Sequence, residues 1–196
     1  MMRGVDMTAA DWPEDEVLEV PVLDEAALDG AGVIGRALVV VVDDHVQPGV
    51  PNAGKSVGSL VTELLEEAGF EVDAVVVVPA EEVDVRNALN TAVIGGVDLA
   101  VTIGGVGVGA RDVTPEATED ILDKKLPGIC EALRSSGLAA GATDAGLSRG
   151  LAGVSGSTVV VNLASSRAAI RDGMATLSPL ATHVIRHIAG GDDQAR

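Results

Sequence analysis

Residues 102–118 read TIGGVGVGARDVTPEAT, and the fold is predicted outward from this stretch. It follows an apolar run at Asp98–Ile103 that predicts a strand, and it leads into Pro115–Lys124, which predicts a helix. Four glycines, at positions 104, 105, 107 and 109, remove side chains from the turn. Glycine permits unusual backbone angles and close approach, and the amino end of a helix favours anionic groups. The stretch therefore predicts a turn that holds a polar, phosphorylated small molecule.

Apolar runs of strand length alternate with helical patterns along the rest of the chain. The run at 37–42 is continuously apolar, which is typical of a strand buried on both faces. A second buried strand is predicted at 72–78, and further strands at 98–103 and 158–163. Helices are predicted at 57–68, 83–94, 115–124, 127–134 and 166–189, the last of them broken before Pro179. Residues 136–156 are glycine-rich and are predicted to be irregular, apart from a helical turn at 145–149. The alternation predicts an α/β fold with a mostly parallel sheet covered on both faces.

Parallel sheets bind their ligands beyond the carboxyl ends of the strands. Three loops are expected to share one rim of this sheet: Asp43–Ser56, Gly104–Asp112 and Ala164–Arg167. Beside the second loop, Thr114 is predicted to cap a helix that has Pro115 at its first position. The functional site is therefore expected on this rim.

The chain is expected to divide into three parts. Residues 1–36 are predicted to be an acidic, partly disordered extension, since residues 1–35 contain nine acidic residues and one basic residue. Residues 37–190 are predicted to form the folded domain, and residues 191–196 a disordered tail.

The charge balance excludes some classes of partner. The 196 residues include 30 Asp and Glu against 13 Lys and Arg, which gives a net charge of −17. Nucleic-acid binding is not expected, because neutralising phosphates requires the opposite sign. Two explanations of the acidity stay open: adaptation to a high-salt cytoplasm, where salt screens self-repulsion, or ordinary surface acidity.

Cysteine content and hydropathy bear on disulfides, zinc sites and the cellular location of the protein. The single cysteine, Cys130, excludes an internal disulfide and a Cys-based zinc cluster, and it is predicted to lie in the core. No signal peptide is recognised, and the apolar runs are far shorter than the roughly 20 residues that span a bilayer. We expect a cytoplasmic protein with no membrane partner.

Residues 49–56 read GVPNAGKS and match the P-loop pattern G-x-x-x-x-G-K-[ST]. Taken literally, Lys55 would contact the terminal phosphates of a nucleotide and Ser56 would hold Mg²⁺. The context is incomplete, because residues 43–48 separate the motif from its strand and no strand ends in a second magnesium-site Asp. An NTPase loop, a phosphate-contacting loop of another kind and a plain capped loop all stay open.

Several motifs together resemble one family. Gly104–Thr118 matches G-G-T-G-x-x-x-R-D-x-T-P-E-A-T, with Val106 in place of Thr. Further matches are P-G-x-x-E-x-x-R at Pro127, Gly128, Glu131 and Arg134; L-S-R and A-G at Leu147, Ser148, Arg149, Ala152 and Gly153; N-L at Asn162 and Leu163; and a late histidine, His183. Over residues 37–189 the chain resembles the molybdopterin-binding family that includes MogA, MoaB and the G domain of gephyrin.

The resemblance implies a three-layer α/β sandwich that assembles into homotrimers or hexamers. It also implies transfer of AMP from Mg-ATP to molybdopterin, in which a terminal phosphate of the pterin attacks the α-phosphorus of the nucleotide. Carboxylates and Mg²⁺ orient the reactants and offset the developing charge. The implied ligands are thus molybdopterin and Mg-ATP, both small molecules.

The resemblance also assigns site residues. Asp112 would be the catalytic or metal-positioning carboxylate, and no protein ligand set for a resident metal is recognised. The residues implied to contact the pterin or the nucleotide are Gly104, Gly105, Val106, Gly107, Thr114, Glu116, Ser148, Asn162 and Ser165, with Lys55 and Ser56 from the P-loop-like segment.

The chain departs from the family pattern at three places. The D-x-S-G that opens the first helix in the family falls on residues 55–58, so Lys55 stands for the first catalytic Asp and Val57 for the Ser. Val106 replaces a Thr, and N-L-P-G-x-P has become residues 162–167, without either proline. A lysine repels a metal ion and attracts phosphate. A non-catalytic relative that binds the pterin or a nucleotide is therefore the alternative function.

For several single residues, a purely structural role also stays open. Asp112 could pair with Arg111 or cap the following helix, and Glu131 could form a surface pair with Arg134. Ser148 and Arg149 could line the pocket or pack the loop. The three histidines have no ligand spacing.

Overall fold

A computed structural model describes residues 32–44 and 55–193. The segment 1–31, residues 45–54 of the P-loop-like region and residues 194–196 lie outside the described residues. The described part contains strands β1 (Gly35–Val42), β2 (Phe70–Val78), β3 (Leu99–Ile103), β4 (Lys124–Lys125), β5 (Ala152–Ser155) and β6 (Thr158–Leu163). Its α-helices are α1 (Lys55–Glu67), α2 (Glu82–Ile94), α3 (Thr114–Glu119), α4 (Pro127–Ala139) and α5 (Arg167–Asp193), and a 3₁₀ turn covers Thr143–Leu147.

The strands form one mixed sheet in the order β2-β1-β3-β6-β5-β4. The pairs β1–β2, β1–β3 and β3–β6 are parallel, whereas β5 pairs antiparallel with both β6 and β4. The carboxyl ends of β1, β3 and β6 consequently lie side by side.

Helices cover both faces of the sheet. Alternate valines of β1 point to opposite faces, so that Val39 and Val41 join one core and Val40 and Val42 the other. The first core receives side chains from α1, α4 and α5, including Leu65, Ile129, Met174 and Leu177. The second receives them from α2 and α3, including Val85, Leu89 and Ala117. The predicted three-layer α/β sandwich with a mostly parallel sheet is confirmed.

Strand β2 differs from the buried strand that was predicted. It lies at the edge of the described sheet, and its centre is exposed, with Val75 and Val76 at 39% and 37% exposure. A run of valines signals a strand, but it does not distinguish an edge position from a central one.

Two short strands were missed. Lys124, predicted as the end of a helix, belongs instead to β4 with Lys125, and α3 ends at Glu119. Ala152–Ser155, predicted as irregular, is β5 and is fully buried. Gly153 allows the close pairing of these strands, because a Cβ there would lie 2.3 Å from the carbonyl oxygen of Lys124. Neither strand has an apolar run long enough to be recognised.

Several element limits extend beyond the predicted ones. Helix α4 continues to Ala139 instead of ending at residue 134, and the 3₁₀ turn begins at Thr143. Strand β1 begins at Gly35, two residues before the expected start of the domain, and α5 continues to Asp193, past the expected end at residue 190.

The predicted break before Pro179 is wrong, because α5 is continuous through this residue. Proline removes one helical hydrogen bond and crowds the preceding turn. The surrounding helix nevertheless buries Met174, Leu177 and Ala181 in the core. The hydroxyl of Ser178 donates to the carbonyl oxygen of Met174 at 2.7 Å. Packing of the apolar face therefore outweighs the local cost of the proline.

Within the described residues, no helix has the length and apolar character that crossing a membrane requires.

Pro179→Ala is expected to stabilise the protein. Alanine restores the amide donor and removes the steric conflict. These gains outweigh the loss of proline's own stabilising effect, which is to reduce the conformational entropy of the unfolded chain. We expect the free energy of unfolding to rise by about 1–2 kcal/mol in urea titrations. Leu177→Ala, on the buried face of the same helix, serves as the opposite control and should lower it by about 2–5 kcal/mol. An unchanged or lowered stability of Pro179→Ala would contradict this account of the helix.

Candidate functional site

The predicted rim is present in the described residues. In register, Val41, Ile103 and Leu163 lie across neighbouring strands, so β1, β3 and β6 end together. The amide of Gly104 donates to the carbonyl oxygen of Leu163 at 2.8 Å. A Cβ on Gly104 would lie 3.6 Å from the Cβ of Ser165. The loops after β3 and β6 are therefore in direct contact.

The first two glycines of the turn are required by geometry. Gly104 and Gly105 have φ angles of +102° and +67°, which favour glycine. A Cβ on Gly104 would lie 2.8 Å from the carbonyl oxygen of Val42, and one on Gly105 would lie 2.3 Å from the Oγ1 atom of Thr114. Side chains at these positions would separate β1, β3 and the helix that follows the turn.

Thr114 fastens this turn, and it is not the helix cap that was predicted. It is the first residue of α3, with Val113 in the cap position. Its side chain is fully buried, and its Oγ1 donates to the carbonyl oxygen of Gly104 at 2.8 Å. Its amide donates to the carbonyl oxygen of Gly105 at 3.1 Å. The hydroxyl therefore shapes the turn.

Arg149 holds the same loop from the other side. Its amide donates to the carbonyl oxygen of Val106 at 2.8 Å, and its Nε donates to that of Gly107 at 2.6 Å. Its Nη2 donates to the carbonyl oxygen of Asp112, and its Nη1 bonds Glu116. One guanidinium thus contacts both ends of the segment from 107 to 116. Of the two interpretations of Arg149, the structure supports loop packing.

Glu116 is engaged in this pairing. The hydrogen bond from Arg149 lowers the pKa of the Glu116 carboxyl group below its ordinary value of 4.5. Val106, which replaces the Thr of the family pattern, is buried at 5% exposure.

Asp112 is held by the loop itself. Its Oδ2 accepts a hydrogen bond from the amide of Gly109 at 2.8 Å, and its own amide donates to the carbonyl oxygen of Gly109 at 3.1 Å. A Cβ on Gly107 would lie 2.8 Å from Oδ2, so this glycine makes room for the carboxylate. No residue of the described ranges donates a hydrogen bond to the other oxygen, Oδ1. Asp112 therefore presents one carboxylate oxygen at the half-exposed surface of the rim.

Arg111 does not pair with Asp112. Its Nε and Nη2 bind the two carboxylate oxygens of Asp44 at 2.9 and 2.7 Å, and its Nη1 binds Glu81 at 2.7 Å. Hydrogen bonds to Asp44 and then to Glu81 raise the pKa of Arg111. The pairing ties the glycine loop to the segments that follow β1 and β2.

A cavity of about 350 Å³ lies between α4, α5 and the end of β6. It contains three of the predicted binding residues, Ser148, Asn162 and Ser165. Ser165 contacts Gly104, so the cavity adjoins the glycine turn. Its other walls are mostly small or apolar, with the polar groups of Arg134, Asp144, Ser166 and Asp172. Cys130 also lines it, and burial raises the pKa of this thiol.

The side chain of Asn162 is fully used inside the protein. It is 3% exposed, and its Nδ2 donates to the hydroxyls of Thr102 and Thr118, both at 2.9 Å. Its Oδ1 accepts from the amide of Leu151 at 2.9 Å. Asn162 therefore joins β6 to β3, α3 and the start of β5, and it contributes to the cavity as part of the wall.

The remaining predicted residues are less closely associated with this site. The Ser148 Oγ accepts from the Gly150 amide at 3.3 Å. Lys55 begins α1, but its side chain lies outside the described residues, and Ser56 is exposed. The proposed Glu131–Arg134 pair is not formed, and Arg134 instead donates to the Ser148 carbonyl oxygen at 3.5 Å. Among the described residues, no three His, Cys, Asp or Glu side chains are grouped as a metal site would require.

Sequence reasoning missed two positions at the site. Asp172 lines the cavity, and its Oδ1 accepts a hydrogen bond from the Oγ of Ser136 at 2.8 Å. No motif contains either residue, although the helical pattern of 166–189 placed Asp172 one to two turns from the rim.

Glu116→Gln should change stability in a pH-dependent way. The pKa of Glu116 is lowered in the folded state, so the ion pair contributes fully above pH 4.5 and is lost as the pH falls through the lowered value. Near neutral pH we expect the free energy of unfolding of the wild type to exceed that of the variant by less than about 1 kcal/mol, since the pair is exposed. Urea unfolding at several pH values checks this difference, which should shrink in acid. In an Arg149→Met background the same substitution should have no effect.

Asn162→Ala should lower the free energy of unfolding by about 2–4 kcal/mol, because it leaves a backbone amide and two hydroxyls without their partner. Thr158, whose hydroxyl bonds the carbonyl oxygen of Val97 at 2.6 Å, offers a control of one buried bond. Thr158→Val should cost less than Asn162→Ala in the same urea titration. Equal costs would contradict the network.

Comparison with known proteins agrees with this architecture. Residues 34–183 match the model of a family described as a probable molybdopterin binding domain. Over 155 residues the chain is 32% identical to a molybdenum cofactor biosynthesis bifunctional protein of Chlorobaculum tepidum, which covers 79% of this chain and 49% of that protein. Over 93 residues it is 39% identical to a molybdopterin adenylyltransferase of Helicobacter pylori, covering 47% of this chain and 52% of that one. The chain thus spans about half the length of these two relatives.

A solved structure extends the likeness to the fold. The crystal structure of a molybdopterin biosynthesis protein from Mycobacterium abscessus is 59% identical, with a TM-score of 0.74. The match covers 81% of this chain and 99% of that one. The family predicted from the motifs is confirmed: the chain belongs to the molybdopterin-binding domain family.

Proposed function

We propose that this chain binds molybdopterin in the cavity between α4 and α5 and adenylylates it with Mg-ATP during molybdenum cofactor biosynthesis. The observation that carries the proposal is the position of the cavity, which adjoins the glycine turn through Ser165. Its volume of about 350 Å³ is within the usual size of a small-molecule site. A ligand seated there would have one end at the rim that presents Asp112.

The lining of the cavity suits a flat heterocycle that carries a phosphate. Small residues line much of it, and two glycines let the walls pack closely: a Cβ on Gly137 would lie 2.5 Å from the Cβ of Ala145, and one on Gly173 would lie 3.2 Å from Leu163. Arg134 is half-buried in the wall, and it forms no ion pair with a described residue. Its guanidinium is a suitable donor group for the phosphate of the pterin.

The residues present fit the magnesium that accompanies the nucleotide. Mg²⁺ prefers one or two carboxylate oxygens together with substrate phosphates, and Asp112 Oδ1 is such an oxygen. When bound, the ion would offset the negative charge of the phosphates. In this proposal Asp112 positions the nucleotide, and the glycine turn allows its phosphates to approach the backbone closely. The adenylyltransferase named among the relatives supports the assignment of the reaction.

Lys55 favours a second candidate, a non-catalytic pterin-binding relative. It occupies the position at which the family pattern has its first Asp. With one carboxylate replaced by a cation, the site would still attract phosphate but would hold Mg²⁺ less well. Assembly into trimers or hexamers and adaptation of the acidic surface to high salt are further parts of the proposal. The distant alternative, a P-loop NTPase, rests on residues 49–56, of which 49–54 lie outside the described ranges.

The proposal is tested by incubating the purified full chain with molybdopterin and Mg-ATP at low and high salt, and following adenylylated pterin by mass spectrometry. We expect product from the wild type. Asp112→Asn should lower the rate on the order of 10²-fold and leave molybdopterin affinity within a few-fold, because the cavity is unchanged. Asp84→Asn, the same substitution at an exposed carboxylate in the first turn of α2, serves as the matched control and should retain most of the rate.

Lys55→Asp separates the two candidates. If the wild type binds molybdopterin but yields no product at either salt concentration, the enzymatic proposal fails and the non-catalytic relative stands. A gain of product in Lys55→Asp alone would then identify Lys55 as the reason. Absence of molybdopterin binding would overturn both.

A further inference from the structure

The cavity contains a carboxylate that none of the family motifs includes. Asp172 lies in α5 and lines the cavity, and its partner Ser136 lies in α4, outside the lining. The Ser136 Oγ donates to Asp172 Oδ1 at 2.8 Å, and both residues are half-buried. The hydrogen bond between the two helices holds the carboxylate in one orientation at the cavity surface.

The other oxygen of Asp172 is available to a ligand. No described residue donates a hydrogen bond to Oδ2. A Cβ on Gly137 would lie 3.8 Å from Oδ2 and 2.5 Å from the Cβ of Ala145, so glycine at this position lets the 3₁₀ turn pack against α4 beside this oxygen. Oδ1 also keeps acceptor capacity, because a carboxylate oxygen has two lone pairs and Ser136 uses one of them.

A carboxylate in this place is unfavourable for an anionic ligand unless the ligand donates hydrogen bonds to it. The chain carries a net charge of −17, and the proposed ligand carries a phosphate. A pterin compensates, because its N3–H and 2-amino groups form two adjacent donors that match the two oxygens of a carboxylate. Adenine lacks such a pair, since its amino group lies beside an acceptor nitrogen.

We propose, resting on the proposed function, that Asp172 recognises the N3–H and 2-amino edge of the pterin and so determines specificity for a 2-amino-4-oxo heterocycle. Ser136 is its positioning residue. Arg134, in the same cavity, is left for the phosphate. This arrangement assigns the cavity to the pterin and leaves the adenine of ATP to the rim outside it.

The test measures binding of molybdopterin to the full-length protein, and its displacement by 6-hydroxymethylpterin and by 6-hydroxymethyllumazine, which has an oxo group in place of the 2-amino group. We expect Asp172→Asn to weaken molybdopterin about tenfold or more, the loss of a charge-assisted hydrogen bond. Because an amide can donate to the oxo group, the variant should also shift the preference from pterin toward lumazine. Ser136→Ala should give a smaller loss of the same kind.

Glu131→Gln is the matched control, since it removes the same charge from an exposed residue of α4 that does not line the cavity. Neutralising a carboxylate near an anionic ligand favours binding by Coulomb's law. Glu131→Gln should therefore leave molybdopterin affinity equal or slightly higher, whereas Asp172→Asn should lower it. Circular dichroism and urea unfolding establish that each variant is folded. If Asp172→Asn unfolds, Asp172→Ser takes its place in the same assay.

The outcomes separate the two levels of the proposal. Wild-type binding with an unchanged affinity and preference in Asp172→Asn would overturn the role of Asp172 and leave the proposed function in place. Tighter displacement by GMP, which carries the same donor pair, than by 6-hydroxymethylpterin would assign the cavity to a guanine nucleotide and overturn the pterin specificity. Failure of the wild type to bind molybdopterin would overturn the proposed function itself.

Discussion

The close approach of three strand ends around Gly104 is the constraint on which the rest of the site depends. The turn after β3 fits against the carbonyl oxygen of Val42 on one side and hydrogen-bonds to Leu163 on the other. A side chain at Gly104 would need space that the Val42 backbone occupies, and the positive φ angle adds strain for any other residue. The rim therefore requires a glycine before any functional residue can be placed.

Buried and paired groups then convert this turn into a rigid platform. The Thr114 hydroxyl donates to the carbonyl oxygen of Gly104, and the Arg149 guanidinium donates to the carbonyl oxygens of Gly107 and Asp112. Arg111 joins the loop to Asp44 and Glu81. Two of the chain's 13 basic side chains are thus used to hold one loop. Catalytic groups need support of this kind, because small displacements weaken orientation and electrostatic stabilisation.

The same contacts separate the residues that are bonded inside the fold from those whose polar groups face the cavity. Asn162 and Thr114 were both predicted to touch the ligand, yet their polar atoms are consumed inside the fold. Among the charged residues that line the cavity, Arg134 of α4 and Asp172 of α5 present opposite charges, and Asp144 lies on the 3₁₀ turn. In the function that we propose, Arg134 and Asp172, which lie outside the long central motif, provide the selective contacts with the ligand.

The layers of the fold could be predicted because burial on both faces leaves a direct pattern in the sequence. Strand β1 contains four successive buried valines and β6 contains three, and the glycine turn follows β3 directly. Strands β4 and β5 could not be predicted, since Lys124 and Lys125 pair through their backbone and carry no apolar signal. The break at Pro179 was wrongly predicted, because the sequence shows the cost of a proline inside a helix but does not show that Leu177 is buried in the core.

Site residues followed the same division. Asp112 was found through its motif, and its neighbours Gly107 and Gly109 make room for its carboxylate. Arg149 belongs to the L-S-R motif, but its hydrogen bond to Gly107 joins residues 42 positions apart in the chain, which no local pattern reveals. The pairing of Ser136 with Asp172 is likewise set by the packing of two helices.

The most direct measurement is a crystal structure of the full chain with molybdopterin bound. The account predicts the heterocycle between α4 and α5, with its amino edge at Asp172 and its phosphate directed to the glycine turn beside Asp112. A pterin bound elsewhere on the rim, with the cavity between the two helices unfilled, would contradict it.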